Sequence, residues 1–429
     1  MDGQTASLRT CRFNANSCVG RFAMALVMVF ALTLLTTHAM QAQTYQVLHN
    51  FSGGGDGAYP YAGVTVGPGG VLYGTTSRGG THNNGVVFKL TYRGSSWTLS
   101  PLYGFTGGSD GGIPLGGVVI GPNGALYGTT GYGGSEDYGT VFELRPPLTV
   151  CKAILCYWNE TVLHTFTGAP DGVGPAVENL AFDSSGNIYG TTYEGGTNDH
   201  GTVFELTPSN GGYTESIIHS FGSGTDGESP EAGVVLDTAG NVYGTTLAGG
   251  TGVVGTVYQL MPSNGGWEEN VLVNFYVTDG DAPYGNLIID GSGNLYGATP
   301  DGGQNGNGVV FELALSDGGW IYSVLYAFSS SCHALSGVAM DAAGDLFGVC
   351  HDGGAHQDGW IYELTNCSQT CTLVDLHDFS GSDGYEPYGS PVLDANGNLY
   401  GTTQLGGTGT CAGYGCGVVW EIAGVGARH

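Results

Sequence analysis

The sequence predicts an all-β fold, a seven-bladed β-propeller of four-stranded antiparallel blades whose ring is closed by pairing the N-terminal strand with the C-terminal blade. Three observations carry this expectation. A phrase first met as Leu72-Tyr73-Gly74-Thr75-Thr76 recurs with its aromatic at Tyr127, Tyr189, Tyr243, Tyr296, Phe347 and Tyr400. The intervals between the aromatics are 54, 62, 54, 53, 51 and 53 residues, the period of a propeller blade. With 81 glycines in 429 residues, the composition suits turn-rich β structure better than helices. Finally, residues 45 to 51 match a blade's fourth strand, whereas residues 417 to 422 form a third strand with no fourth after it. A closed ring explains both ends; an open solenoid would want polar caps instead.

Taken in order, residues 1 to 42 read as a signal peptide. Arg9, Arg12 and Arg21 precede an apolar run from residue 22 to 35, and the small residues Thr37, Ala39 and Ala42 follow. The run falls short of the ~20 apolar residues that span a bilayer, and no later segment is long enough to do so. No cysteine follows the run, which argues against a lipid-anchored cysteine. Residues 43 to 424 are expected to form the propeller as one domain, with a short tail at 425 to 429.

Residues 233 to 275 illustrate one blade. Four short apolar runs, 233–237, 242–246, 256–260 and 267–275, are separated by Gly, Asn and Pro turn chemistry, which is a four-stranded meander. We name its strands A to D. A lone meander leaves faces and edges uncovered, and radial packing of copies around an axis covers them.

Eight cysteines follow the signal segment: Cys151, Cys156, Cys332, Cys350, Cys367, Cys371, Cys411 and Cys416. An even count in an exported chain predicts disulfides, and none of the spacings is the two-residue step common in zinc sites. Cys332 stands before strand A of blade six and Cys350 ends its strand B, so antiparallel pairing brings them within bridging distance. Cys151 and Cys156 fall in the extra residues of the 62-residue interval. The chain carries 9 basic and 37 acidic residues, a formal net charge of −28. Such a balance excludes a nucleic-acid role and favours solubility and attraction to cations.

The pattern Gly-x-Val, Asp-x-x-Gly-Asn-Leu-Tyr-Gly-Thr-Thr, Gly-Gly, Gly-x-Val-Phe-Glu-Leu resembles the Gloeo/Verruco repeat of the bacterial GloVer-containing choice-of-anchor proteins. The resemblance covers residues 45 to 422 in seven copies. It implies an exported bacterial protein and supplies no shared activity or catalytic residues. Members often carry a C-terminal sorting segment; this sequence stops seven residues after Ile422, so no such anchor is expected.

In a propeller the D-to-A and B-to-C loops emerge on one face, where a ligand site is expected. The D-to-A loops carry Asp56, Asp110, Asp171, Asp226, Asp279 and Asp383, each followed by Gly, and Asp281 adds a second carboxylate in blade five. Together they could ring the face and attract calcium or another divalent cation, although Asp-Gly is also a plain turn signal. His49, His164, His219 and His377 share one slot, two residues before the strand-D Phe, which reads as structural. Blade six departs from the repeat: it lacks Asp-Gly, replaces the second Thr of the phrase with Cys350, and gathers His333, His351, Asp352, His356 and Asp358. Imidazole and carboxylate together could bind a divalent ion such as zinc. Polar loop residues beside a disulfide explain the same pattern. Blade six is the one blade that offers unique polar candidates. Gly107-Gly-Ser-Asp-Gly111 spells a nucleophile-elbow motif but lies in a repeated turn.

The leading expectation is an exported, monomeric, non-enzymatic propeller that binds an unknown protein or glycan, with calcium or another divalent cation as the one cofactor the residues suggest. A metal-assisted, lactonase-like hydrolase or lyase using the loop face is the alternative, and a multivalent lectin with one weak site per blade is another.

Overall fold

The computed structural model describes residues 43–147, 156–222, 225–367 and 370–426. The segment at 1–42 that the sequence reads as a signal peptide, and Cys151, therefore lie outside the described residues. Apart from a 3-10 turn at Pro68–Gly70, regular structure there is all strand. Seven antiparallel sheets follow one another as the repeat predicts.

Blade four is representative, with A at Val235–Leu236, B at Val242–Thr246, C at Thr256–Ser263 and D at Gly266–Asn274, hydrogen-bonded in that order. Strand A is the shortest strand of the blade, two residues here and three in blades one and two. Blade three departs slightly: its D-to-A loop adds Gly172–Pro175 beside a strand B prolonged to Ile188–Gly195.

Blade seven contains Val392–Leu393, Leu399–Thr403 and Val418–Ala423, and its fourth strand is Thr44–Asn50 from the other end of the chain. The pairing is antiparallel, with Tyr45 opposite Ile422 and Val47 opposite Trp420. The ring is thus closed by the displaced N-terminal strand.

Each residue of the repeated phrase has a distinct task. Its glycine faces the strand-C aromatic: Gly74 pairs with Phe88, and a Cβ there would sit 2.6 Å from the ring. Phe88, Phe142, Phe204 and Phe311 are fully buried in this position. The first threonine reaches the next blade, where Thr75 donates to the Gly116 carbonyl at 2.8 Å, Thr191 to Ala232 at 2.7 Å and Thr402 to Ala62 at 2.8 Å. The second threonine closes the B-to-C loop, as Thr76 does on the Arg78 carbonyl and Thr403 on Leu405. The tyrosine hydroxyl donates to the strand-C glutamate, at 2.9 Å from Tyr189 to Glu205 and from Tyr400 to Glu421.

Three disulfides are formed among the described residues, Cys332–Cys350, Cys367–Cys371 and Cys411–Cys416. The first joins the entry of strand A in blade six to the end of its strand B, as the antiparallel reading expects.

Candidate functional site

Bridges such as Ala58 to Arg78, Gly112 to Tyr132 and Tyr385 to Leu405 tie each D-to-A loop to the B-to-C loop of the next blade. Both loop sets therefore share one face.

The repeated aspartates turn into their own loops. Asp56 accepts from the Ser52 backbone at 3.0 Å and lies 3.1 Å from His49 Nε2. Burial raises the Asp56 carboxyl, but the His49 and Ser52 hydrogen bonds outweigh it and hold the group below its ordinary range. Asp171 meets His164 at 3.3 Å, Asp226 meets His219 at 3.1 Å and Asp383 meets His377 at 3.1 Å. In blade one Tyr103 takes the histidine's place and donates to Asp110 at 3.0 Å. Asp279 accepts from the Tyr276 backbone at 2.7 Å, and Asp281 faces Asp301, whose charge adds to burial in raising the Asp281 carboxyl. The conserved-looking histidine slot and the Asp-Gly turn are thus two halves of one motif. The following glycine is required by close approach, because a Cβ on Gly57 would meet the Thr76 side chain at 2.2 Å.

In blade six His333 bridges two carboxylates, Asp352 at 2.8 Å and Asp301 of the preceding blade at 3.2 Å. Ser331 also donates to Asp352, at 2.9 Å. His351 turns instead onto the Tyr388 ring, 4.8 Å away edge to face, and burial lowers its pKa. His356 is exposed, and the Asp358 carbonyl accepts from Glu386. Among the described residues, the trios of ligand-type side chains whose donor atoms all lie within 4.8 Å are His164–Asp171–Glu215 and His219–Asp226–Glu269. The blade-six five do not form such a group.

The site with the most non-repeated chemistry lies where the chain enters the strands A. Three tyrosines gather there from three blades: the Tyr61 and Tyr388 rings lie 4.2 Å apart, tilted by 31°, and the Tyr61 and Tyr284 hydroxyls are 3.4 Å apart. Tyr284 also hydrogen-bonds Glu231 of blade four. Burial and then the Glu231 charge push the Tyr284 hydroxyl far above its ordinary range, and burial raises Glu231 itself. One residue further along, Glu178 is buried on the axis. Its carboxylate accepts from Ser390 at 3.1 Å and from Asn286 at 3.3 Å, linking blades three, seven and five. Burial raises its pKa to about 7, opposed by the Ser390 hydrogen bond.

Reading the repeat for its loudest departures missed this group. The signal was present in the residue just before the common Gly-Val pair: Glu178 stands where other blades have Ala62, Gly116, Ala232, Gly285, Ser336 and Gly389. Two surface cavities lie elsewhere. One of about 250 Å³ is lined by Tyr103, Tyr157 and Trp158, and one of about 450 Å³ by Tyr296, Glu312 and Asp345. The second is lined largely by residues of the repeat itself, so we place the candidate site at the axial mouth.

Several solved structures share the fold. A fungal alcohol oxidase of the AA5 family, in complex with copper, matches at 14% identity over 89% of this chain and 76% of that one, with a TM-score of 0.56. The extracellular domain of a B. thetaiotaomicron protein assigned as a one-component system matches at 15% identity and a TM-score of 0.52, over 88% of this chain and 40% of that one. A Bacteroides uniformis protein assigned as a 6-phosphogluconolactonase matches at 15% identity and 0.51, over 77% and 88%. At such identities the likeness shows the fold alone. No curated protein matches the chain. The model of the Gloeobacter/Verrucomicrobia repeat matches residues 28–156 and 155–340, and with its seven-fold phrase the chain belongs to that family.

Proposed function

We propose that this propeller is a non-enzymatic binding module working outside the cell, and that it takes a neutral carbohydrate ligand on its loop face with the axial mouth as anchor. One observation carries the reading. Of the seven exposed tyrosines among the described residues, Tyr132, Tyr138, Tyr276 and Tyr414 lie in B-to-C or D-to-A loops and Tyr193 near the loop end of the prolonged strand B, on the face that carries Tyr61, Tyr284 and Tyr388; Tyr92 and Tyr157 lie elsewhere. Exposed aromatic surface of this kind marks interaction sites, and flat rings bearing a hydroxyl suit the apolar faces and polar edges of sugars. The formal net charge of −28 disfavours anionic ligands. Three disulfides fit an extracellular location. The exposed tyrosines occupy different repeat positions, which favours one composite site over one weak site per blade.

A neutral-glycan array probed with the purified chain tests this. Tyr284→Ala and Tyr388→Ala should each weaken the best ligand about tenfold, ~1.4 kcal/mol, while Tyr92→Ala, on the outer hairpin, should leave it unchanged. Equal binding by all three variants sinks the assignment of the mouth. Glu178 favours a second reading, because a buried carboxyl raised to about 7 on the axis has the pKa of a general base. Lactone turnover that vanishes in Glu178→Gln would establish the hydrolase instead.

A further inference from the structure

We propose that the outer cleft between blades three and four is a divalent-cation site of the zinc class built from His219, Asp226 and Glu269, and that the cleft between blades two and three repeats it with His164, Asp171 and Glu215. Each trio spans two blades. The imidazole and aspartate come from one blade's strand D and the loop after it, and the glutamate comes from strand D of the next.

The distances suit an ion. His219 Nε2 lies 3.1 Å from Asp226 Oδ2 and 4.0 Å from Glu269 Oε1, and the three donor atoms lie within 4.8 Å of one another. A tetrahedral zinc with bonds of about 2.0–2.1 Å sets its ligands ~3.3 Å apart, so only a small contraction is needed. One imidazole with two carboxylates is a donor set for zinc-like ions, whereas calcium takes six to eight oxygens.

A second observation points the same way. The slot held by Glu215 and Glu269 is filled differently at other junctions, and there a donor satisfies the cleft: Tyr322 donates to the Asp279 carbonyl and Tyr45 to the Asp383 carbonyl, both at 2.6 Å. The two glutamates bring an acceptor where those junctions bring a donor, and Glu215 Oε1 and Glu269 Oε1 are buried with no hydrogen-bond partner. Tyr258, fully buried, also ends in an unpartnered hydroxyl beside the Glu269 and Asp226 carboxylates, whose charges act on it. Buried carboxylate oxygens left without a partner are costly. A cation held by His219, Asp226 and Glu269 satisfies the carboxylates and ties the two blades together.

The remaining acidic junction is an internal control: Glu160 Oε1 is likewise buried without a partner, but it faces Asp110 and Tyr103 with no imidazole, so the histidine ligand is what that junction lacks.

The test uses the whole chain stripped with EDTA, loaded with Zn²⁺, desalted and analysed for metal alongside thermal denaturation. Two ions per chain and a raised midpoint are expected. Glu269→Gln and Glu215→Gln should each leave one ion, the double variant none, and Glu160→Gln should still hold two. The Gln variants, which keep side-chain size, should match or exceed the stripped parent in midpoint, confirming that they fold. A parent that retains no zinc, an ion count indifferent to both substitutions, or retention of Ca²⁺ in place of Zn²⁺ overturns the proposal. A single ion lost on Glu269→Gln keeps the first cleft and overturns the second.

Discussion

Glu178 is the residue whose surroundings ask most of it. Burial raises its carboxyl from 4.5 to about 7, and its hydrogen-bond partners, Ser390 and Asn286, are neutral. Because the folded value exceeds the unfolded one, the stability it contributes is complete below pH ~4.5 and is lost as pH rises through about 7. Glu178→Gln, neutral throughout, should therefore gain on the parent across that window and exceed it above pH 7 by up to roughly 3 kcal/mol. Urea titrations of both proteins at pH 5 and pH 8 measure this, and a constant difference between them would refute it. The phrase around Tyr73 was legible as structure because its period repeats, but the reason for each letter was not. That Gly74 exists to admit Phe88, and that Thr75 bonds a neighbouring blade, depends on which side chains meet across strands. Glu178 was harder still, since one carboxylate in a loop has no local pattern and becomes singular only when seven strand entries are superposed.

At the level of the element, the loop joining strands D and A repeats one device with varied parts. A histidine or tyrosine on strand D holds the loop aspartate, which in turn holds the backbone of Ser52, Thr106 or Thr167. Blade six gives up that device and has the Cys332–Cys350 disulfide at the same junction. Replacing both cysteines with alanine should lower stability by about 2–4 kcal/mol, read from the denaturation midpoint with and without reductant. Reductant should lower the parent's midpoint further than the variant's, which retains only the Cys367–Cys371 and Cys411–Cys416 bonds. Sequence spacing alone made this pairing legible, because strand A and strand B are adjacent and antiparallel. The trios that join neighbouring blades were not legible, because Glu215 and Glu269 lie 44 and 43 residues from their aspartates (215 − 171 and 269 − 226) and meet them only through blade packing.

For the whole molecule, closure decides stability. Strand Thr44–Asn50 completes blade seven, and Thr402 of that blade bonds the Ala62 carbonyl of blade one. Removing residues 44 to 50 exposes the edge of Val418–Ala423 and uncovers Trp420 and Phe51's neighbours. We expect the shortened chain to lose its single sharp thermal transition and to associate through the bared edge, as light scattering would show. A chain that stays monomeric with an unchanged midpoint would contradict this. The number of blades was readable from the sevenfold phrase and their closure from the displaced strand, since a matching fragment at one end and a missing one at the other need no contact information.

That closing strand also orders events in time. Residues 44 to 50 are made before any complete blade, yet their partner at 418 to 423 is the last strand made, so a loop spanning nearly the whole propeller must close before the ring is complete. A chain released short of Val418 leaves six blades and an orphan strand with nothing to pair against. The ring thereby proofreads its own synthesis: only a chain delivered through its final strand hides both edges from proteases and from its neighbours.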